Sequence, residues 1–295
     1  MTDGALARLR ERIDALPPLR EVVAEAFPAR KSLGQHFLFD LNLTDKIART
    51  ARRPGASAEA PLEGETVVEV GPGPGGLTRS LLKAGAHVVA VEKDLRATEV
   101  LAPLVAAADG RLTLVTADAL TADWTALAPA GASICANLPY NVGTPLIVDW
   151  LSGPWLPWWA SATVMVQREV ADRIVATPGG GDYGRLAVLT GARAHATSVF
   201  DVSPAAFVPP PKVWSSVVRI DPKPADDVPL KALERVTAAA FGQRRKMLRS
   251  SLKSLTQDPE GLLAAAGLEP TERAERIPVA DFIRLAKVWQ EREGG

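Results

Sequence analysis

Asn137, Leu138, Pro139 and Tyr140 follow directly on an apolar run, ASICA, and they form a set with chemical purpose. A side-chain amide, an apolar residue, a proline and an aromatic at the end of a strand suit one task. They can grip a flat, amino-bearing ring by its edge while stacking on its face. The Asn137 side-chain oxygen offers one acceptor for the ring's amine, and the Leu138 backbone carbonyl offers a second. Tyr140 supplies the stacking surface, a contact worth ~1–3 kcal/mol. Such a pocket fits the exocyclic amine of adenine as acceptor of a methyl group. That amine is a weak nucleophile because its lone pair is delocalised into the ring. Alignment and well-placed acceptors can carry the reaction without a nucleophile or a metal. The competing reading is a strand-end turn in which asparagine and proline do only turn chemistry.

A second constellation precedes it. The loop GPGPGG, residues 71–76, follows the apolar run TVVEV. Gly71, Gly73 and Gly76 fit the dinucleotide fingerprint; Gly71, Gly73 and Gly75 fit the shorter spacing of S-adenosylmethionine enzymes. Glycine in either case lets the backbone turn tightly against a ligand. Pro72 and Pro74 lack the amide donors that a pyrophosphate needs, which leans the loop away from NAD. Glu92 closes the run VVAVE, where an acid can accept from both hydroxyls of a ribose; otherwise it is a solvated strand-end acid. Asp118, after LTLVTA, can accept from an adenine amino group, or can cap a helix.

These residues need elements to place them. Short apolar runs alternate with helical stretches from residue 67 onward: TVVEV, HVVAVEKD, a helix over 96–107, LTLVTADAL, SICANLPY, a helix over 143–152, ATVMVQREV, and a helix over 184–194. That alternation predicts βαβ units and a doubly wound, mostly parallel sheet. Gly71, Glu92, Asp118 and Asn137 then stand at strand ends that converge on one crevice. Residues 196–202 and 214–220, joined by FVPPPK, predict a hairpin at a sheet edge. Leu6, Leu9 and Ile13 predict an amphipathic helix broken near Pro17 and Pro18. The segment DPKPADDVP, residues 221–229, reads as a linker, with only helices beyond it. The expected organisation is an N-terminal helical extension over 1–30, a catalytic domain over 31–221 and a helical domain over 222–295. WLPWW, at 155–159, is expected to be packing rather than a stacking platform.

Bulk composition narrows the class. The chain has 295 residues, 47% hydrophobic and 23% charged, with zero net charge, so any polyanion-binding surface must come from local clustering. One cysteine, Cys135, precludes a disulfide framework within the chain and reads as a buried strand thiol. Three histidines, with no cluster at metal spacing, indicate no metal. No run reaches the ~18 apolar residues of a membrane span. The N-terminal stretch lacks a secretory core and carries several acids, so a cytoplasmic protein is expected.

Longer motifs carry a resemblance. KSLGQHFL, EVGPGPGGLT, VEKD, NLPYNVGTPL, MVQREVADRI, YGRLAVL, FVPPPKVWSSVV and AFGQRRKMLRSSL, spanning Lys31 to at least Leu252, resemble the small-subunit ribosomal RNA adenine dimethyltransferases. The resemblance implies a Rossmann-like methyltransferase sheet with an antiparallel last strand and a small C-terminal all-helical domain. It implies S-adenosylmethionine as donor and two adjacent adenines, in the 3′-terminal hairpin loop of small-subunit RNA, as acceptors. The implied partner is a small-subunit assembly intermediate, and the protein a monomer. The implied cofactor contacts are His36, Leu38, Gly71, Gly73, Glu92, Asp118 and Asn137. The acceptor set is Asn137, Leu138, Pro139 and Tyr140, with Phe207 as a second stacking ring. The family usually has asparagine where this chain has His36, which leaves a backbone contact there and puts a side-chain role in doubt.

RNA contact falls on the densest basic run, RRKMLRSSLK. Arg244, Arg245, Lys246, Arg249 and Lys253 carry no acid among them, and the spacing of Arg245, Arg249 and Lys253 predicts one helix face. Arg30, Lys31 and Arg79 are expected to add to that surface. A solvated helix face is the plainer reading. Two alternatives remain: a large-subunit RNA methyltransferase of the macrolide-resistance type, and a non-catalytic assembly factor. An NAD(P)-dependent oxidoreductase would leave NLPY unexplained.

Overall fold

Valine-rich runs bounded by glycine and polar residues form strands buried on both faces, as a parallel sheet requires. The computed structural model describes residues 3–30, 33–53, 55–224 and 227–293. Among the described residues nine strands run in chain order: β1 (Phe37–Leu38), β2 (Thr66–Val70), β3 (His87–Glu92), β4 (Leu112–Thr116), β5 (Ala132–Asn137), β6 (Trp159–Gln167), β7 (Ala194–Val202), β8 (Phe207–Val208) and β9 (Ser215–Pro222). Seven of them make one sheet in the order β4-β3-β2-β5-β6-β9-β7, while β1 and β8 pair separately. β2, β3, β4, β5 and β6 pair in parallel, and β9 lies antiparallel to β6. The fold is therefore a Rossmann-like, mostly parallel sheet with an antiparallel last strand.

Register places the chemistry. Val70 pairs with Val91 and Glu92 with Thr116, so Gly71, Glu92 and Asp118 leave neighbouring strands at the same carboxyl edge. Asn137 ends β5 opposite Met165. The strand order reverses between β2 and β5, and the crevice outside such a switch point is where open α/β sheets bind ligands.

The helices 96–107 and 143–152 form where their apolar spacing predicts, as Arg96–Ala107 and Gly143–Ser152. The run ATVMVQREV does not stay extended. β6 stops at Gln167 and a helix, Arg168–Val175, begins, burying Ala171 and Ile174 at helical spacing. β9 continues to Pro222, into the stretch expected as a linker.

The chain divides into two compact units. One comprises residues 1–147, 157–168 and 198–221; the other comprises 148–156, 169–197 and 222–295. The N-terminal stretch is not a separate extension. Helices Asp3–Asp14 and Leu19–Ala26 bury Leu6, Leu9, Ile13 and Leu19, and the first three share a core with Leu77, Leu81, Leu101 and Leu104. The second unit is larger than the C-terminal helices alone. Tyr183, Ala187, Val188 and Ala192 pack in one core with Leu233, Val236, Leu263, Phe282 and Leu285. Tyr183 also donates its hydroxyl to the Ile277 carbonyl at 2.8 Å. Helical periodicity alone does not tell which core a helix joins. Among the described residues no helix is long and apolar enough to cross a membrane.

Candidate active site

One cavity of about 420 Å³ opens at the carboxyl edge of β2, β3 and β5, within the ~300–1,000 Å³ usual for small-molecule sites. Gly71, Gly73, Glu92, Asp118, Asn137, Leu138, Pro139 and Tyr140 all line it, together with His36 and Leu38. The loop and the NLPY segment touch the same space: a methyl group added at Gly71 would stand 3.5 Å from the Pro139 ring.

The loop is glycine-rich because its backbone enters left-handed space. Gly71 and Gly73 have φ of 69° and 54°. The three glycine amides across 71–75 are already committed. Gly71 donates to the Val91 carbonyl at 2.9 Å, Gly75 to the Pro72 carbonyl at 2.9 Å, and Gly73 to Glu92 Oε2 at 3.2 Å. Pro72 and Pro74 have no amide to give. Among the described residues no free backbone donor remains across 71–75 for a pyrophosphate.

Glu92 is held by three backbone donors, Gly73, Lys93 and Asp94, the last two at 2.9 Å on Oε1. Burial raises its pKa, opposed by those donors. Asp118 receives Lys93 Nζ at 2.6 Å and the Leu120 amide at 3.1 Å. The bond from Lys93 pulls its pKa below the ordinary carboxylate value. It closes a turn and caps no helix; Asp123 caps the next one, Trp124–Leu127.

Asn137 is anchored and directional. Its Nδ2 donates to the His36 carbonyl at 3.2 Å. That bond leaves Oδ1 without a protein partner among the described residues. Leu138 is buried with its amide bonded to the Met165 carbonyl at 3.1 Å. Its own carbonyl accepts nothing among the described residues. Two unpaired acceptors thus stand side by side on a rigid strand end. The Tyr140 hydroxyl meets Ser215 Oγ at 2.6 Å, and burial raises its pKa, so the phenol stays neutral.

His36 divides its roles as the doubt about its side chain suggests. The backbone carbonyl holds Asn137, while Nδ1, as N–H, donates to the Pro209 carbonyl at 2.7 Å. The ring lies 5.4 Å from that of Tyr140. Leu38 pairs with Phe207 across the β1–β8 ladder.

Phe207 does not present a second stacking ring. It is 2% exposed, lies outside the cavity lining, and packs in the core with Phe37 and Leu38. A phenylalanine in a two-residue ladder gains more from that core than from water. WLPWW is packing: Trp159 is buried and Trp158 stacks on Trp124 at 5.6 Å.

Sequence reasoning missed Glu69. It lines the cavity, is 2% exposed, and accepts a 2.7 Å bond from Thr78 Oγ1. Burial pushes its pKa up to about 8. The signal was present: an acid inside TVVEV, immediately before the glycine loop.

The basic run is not one helix face. Helix Leu230–Gly242 ends before it, residues 243–247 turn, and only Leu248–Ser251 is helical before a short 3-10 turn, Leu252–Ser254. Met247 there forms an isolated antiparallel bridge with Arg273. Arg244 is structural: it pairs with Glu275 at 3.1 Å and donates to the Gly180 and Gly181 carbonyls. Arg249 faces Glu260 at 3.8 Å. Arg245, Lys246 and Lys253 are exposed. Arg79 braces the N-terminal turn through the Pro17 carbonyl at 3.0 Å, which removes it from an RNA surface. Arg30 is exposed, and Lys31 lies outside the described residues. Among the described residues no group of three or more His, Cys, Asp or Glu could hold a metal.

Comparison with known proteins adds to this geometry. The family model described as ribosomal RNA adenine dimethylase matches residues 26–291. A protein of Azorhizobium caulinodans named ribosomal RNA small subunit methyltransferase A is 58% identical over 289 residues, 96% of each chain. Its namesake from Methylobacterium radiotolerans is 60% identical over 283 residues, 94% of each. A dimethyladenosine transferase from Plasmodium falciparum shares the fold, with a TM-score of 0.69 at 22% identity over 88% of this chain and 98% of that one. The 23S rRNA methyltransferase ErmE is 28% identical with a TM-score of 0.62, over 86% of this chain and 99% of that one.

Proposed function

Because the chain belongs to the ribosomal RNA adenine dimethylase family and is an rRNA adenine dimethyltransferase, we propose a specific reaction. It transfers methyl groups from S-adenosylmethionine to N6 of two adjacent adenines in the 3′-terminal hairpin loop of small-subunit rRNA. The observation that carries this reading is the single cavity lined by both the glycine loop and Asn137–Tyr140.

The lining suits that cofactor. Glu92, Asp118 and Leu38 line the cavity; Glu92 would accept from a ribose and Asp118 from an adenine amine, with Leu38 as apolar wall. The committed amides of Gly71, Gly73 and Gly75 suit a ligand without phosphate. Bound there, S-adenosylmethionine supplies an electrophilic methyl group on a sulfonium. The chain's residues do the rest. Asn137 Oδ1 and the Leu138 carbonyl would accept the hydrogens of the target amine, both before the first transfer and the remaining one before the second, drawing its lone pair out of the ring; each transfer releases one amine proton to solvent. Tyr140 stacks on the base, its hydroxyl fixed by Ser215. His36, clamped to Pro209 and Asn137, keeps the acceptor amide pointed inward. An adenine inside a helix cannot reach this site, so the target is splayed from a loop.

The substrate reading extends to a small-subunit assembly intermediate, met in the cytoplasm by a monomer, with Arg245, Lys246, Arg249 and Lys253 on its phosphates. The large-subunit alternative is disfavoured by 28% identity to ErmE against 58–60% to the small-subunit enzymes. Incubating undermethylated small subunits with labelled S-adenosylmethionine and mapping the stops in primer extension tests the proposal. Two adjacent stops in the small-subunit hairpin are expected; label confined to large-subunit RNA would overturn it.

A further inference from the structure

With Phe207 in the core, Tyr140 is left to stack the target base, and nothing so far receives the base beside it. A loop adenine that swings into the cavity leaves its neighbour with one face unstacked in water. The segment Val208–Trp214 stands next to the acceptor pocket, since Pro209 holds His36 and the following Ser215 holds Tyr140. Ser215 is 0% exposed and its hydroxyl holds Tyr140 at 2.6 Å. The residue before it, Trp214, is 48% exposed. Its backbone is fixed, because the Trp214 carbonyl accepts the Arg168 amide at 2.9 Å where β6 gives way to its helix. Its indole has no hydrogen bond or ring partner among the described residues. An indole that costs free energy to hydrate, on a rigid backbone one residue from the ring anchor, is poised for a flat partner.

The surroundings fit a nucleotide. Lys212 is exposed two residues away, and Val213 is 44% exposed beside it. Arg168 adds a half-exposed guanidinium, 3.6 Å from Asp201. An aromatic face with a cation alongside is the combination that binds single-stranded nucleic acid, base on ring and phosphate on ammonium.

We propose that Trp214 is the stacking platform for the nucleotide adjacent to the target adenine, with Lys212 neutralising its phosphate. The inference rests on the RNA substrate reading above. It makes Trp214 a positioning residue: it holds the strand in register and touches neither cofactor nor the reacting amine.

The test is steady-state methyl transfer by the full chain to undermethylated small subunits. Trp214→Ala and Trp214→Phe are measured beside the unsubstituted protein, with S-adenosylmethionine affinity and sedimentation followed in each. Trp214→Ala is expected to raise KM for the RNA substrate about tenfold with kcat and cofactor affinity unchanged, as loss of one base stack dictates. Trp214→Phe should recover most of that loss, and Lys212→Met should make RNA affinity less steep in salt. A hairpin RNA with two adjacent loop adenines should quench the fluorescence of the unsubstituted protein more than that of Trp214→Phe. An unchanged KM in Trp214→Ala overturns the proposal. So does a fall in kcat or in cofactor affinity that phenylalanine does not rescue, which would mark Trp214 as structural. A change in sedimentation would assign the indole to contact between copies and equally overturn it. If the unsubstituted protein methylates no RNA, the substrate reading itself fails; if it does and KM is unmoved, only the platform fails.

Discussion

The acceptor segment 137–140 and the basic run 244–253 make opposite cases. In the first, each residue's role depends on a strand end that cannot lie elsewhere: β5 is buried, paired on both sides, and stops at Asn137. In the second, the same kind of reading, residue type plus spacing, assumed one helix through Arg245, Arg249 and Lys253, whereas the preceding helix ends at Gly242 and only Leu248–Ser251 is α-helical within the run. Buried apolar pattern fixes where a side chain points; exposed charge pattern does not. One basic residue of the second region, Arg244, is tied to a carboxylate and two carbonyls while its neighbours Arg245 and Lys246 are exposed.

The sharpest break of this contrast is Asn137→Ala. Loss of a preorganised acceptor in the acceptor segment should cut kcat by about 10²–10³-fold, as removal of one hydrogen-bonding partner does in comparable sites. Binding of small-subunit RNA should stay within a few-fold, and near-normal turnover would return the segment to turn chemistry. In the basic run, Arg245→Ala with Arg249→Ala should weaken RNA binding and reduce its log–log salt slope by about 1.5, two phosphate contacts' worth. An unmoved slope would make those arginines a solvated surface. Arg244→Ala should behave differently from both, costing about 1–2 kcal/mol in stability through its lost bonds, discounted for partial exposure. Its salt slope should not change; urea titration against filter binding separates the two outcomes.

The last test concerns Glu69 and reads pH rather than binding. Its folded pKa, about 8, lies above its ordinary value of 4.5, so the folded state holds a proton that the unfolded chain releases. Stability from this group is therefore present below about pH 4.5 and is lost as pH rises toward 8. Glu69→Gln keeps an acceptor for Thr78 and should flatten that decline. Equal slopes of unfolding free energy against pH in both proteins would show that Glu69 is ionised when folded.

Most of the sheet was legible because its strands are short, apolar and separated by helices with clear spacing. Glu92, Asp118 and Gly71 followed from strand ends alone. Two misses share one cause: side-chain destination depends on partners far away in sequence. Phe207 belongs to a ladder with Leu38, and Ala187 and Val188 belong to a core with Phe282. Neither pairing leaves a local mark. Glu69 did leave one, an acid in an apolar strand, and Trp214 another, an aromatic at the lip of a buried strand.

The claim on which the account stands is that methyl donor and target amine share one cavity. Calorimetry with a bisubstrate compound, in which adenine N6 is tethered to the adenosyl moiety of the cofactor, tests it most directly. One-to-one binding that excludes both S-adenosylmethionine and the hairpin RNA, weakened by Asn137→Ala, is expected. Displacement of the cofactor with RNA still bound at full affinity, and no response to Asn137→Ala, would contradict it.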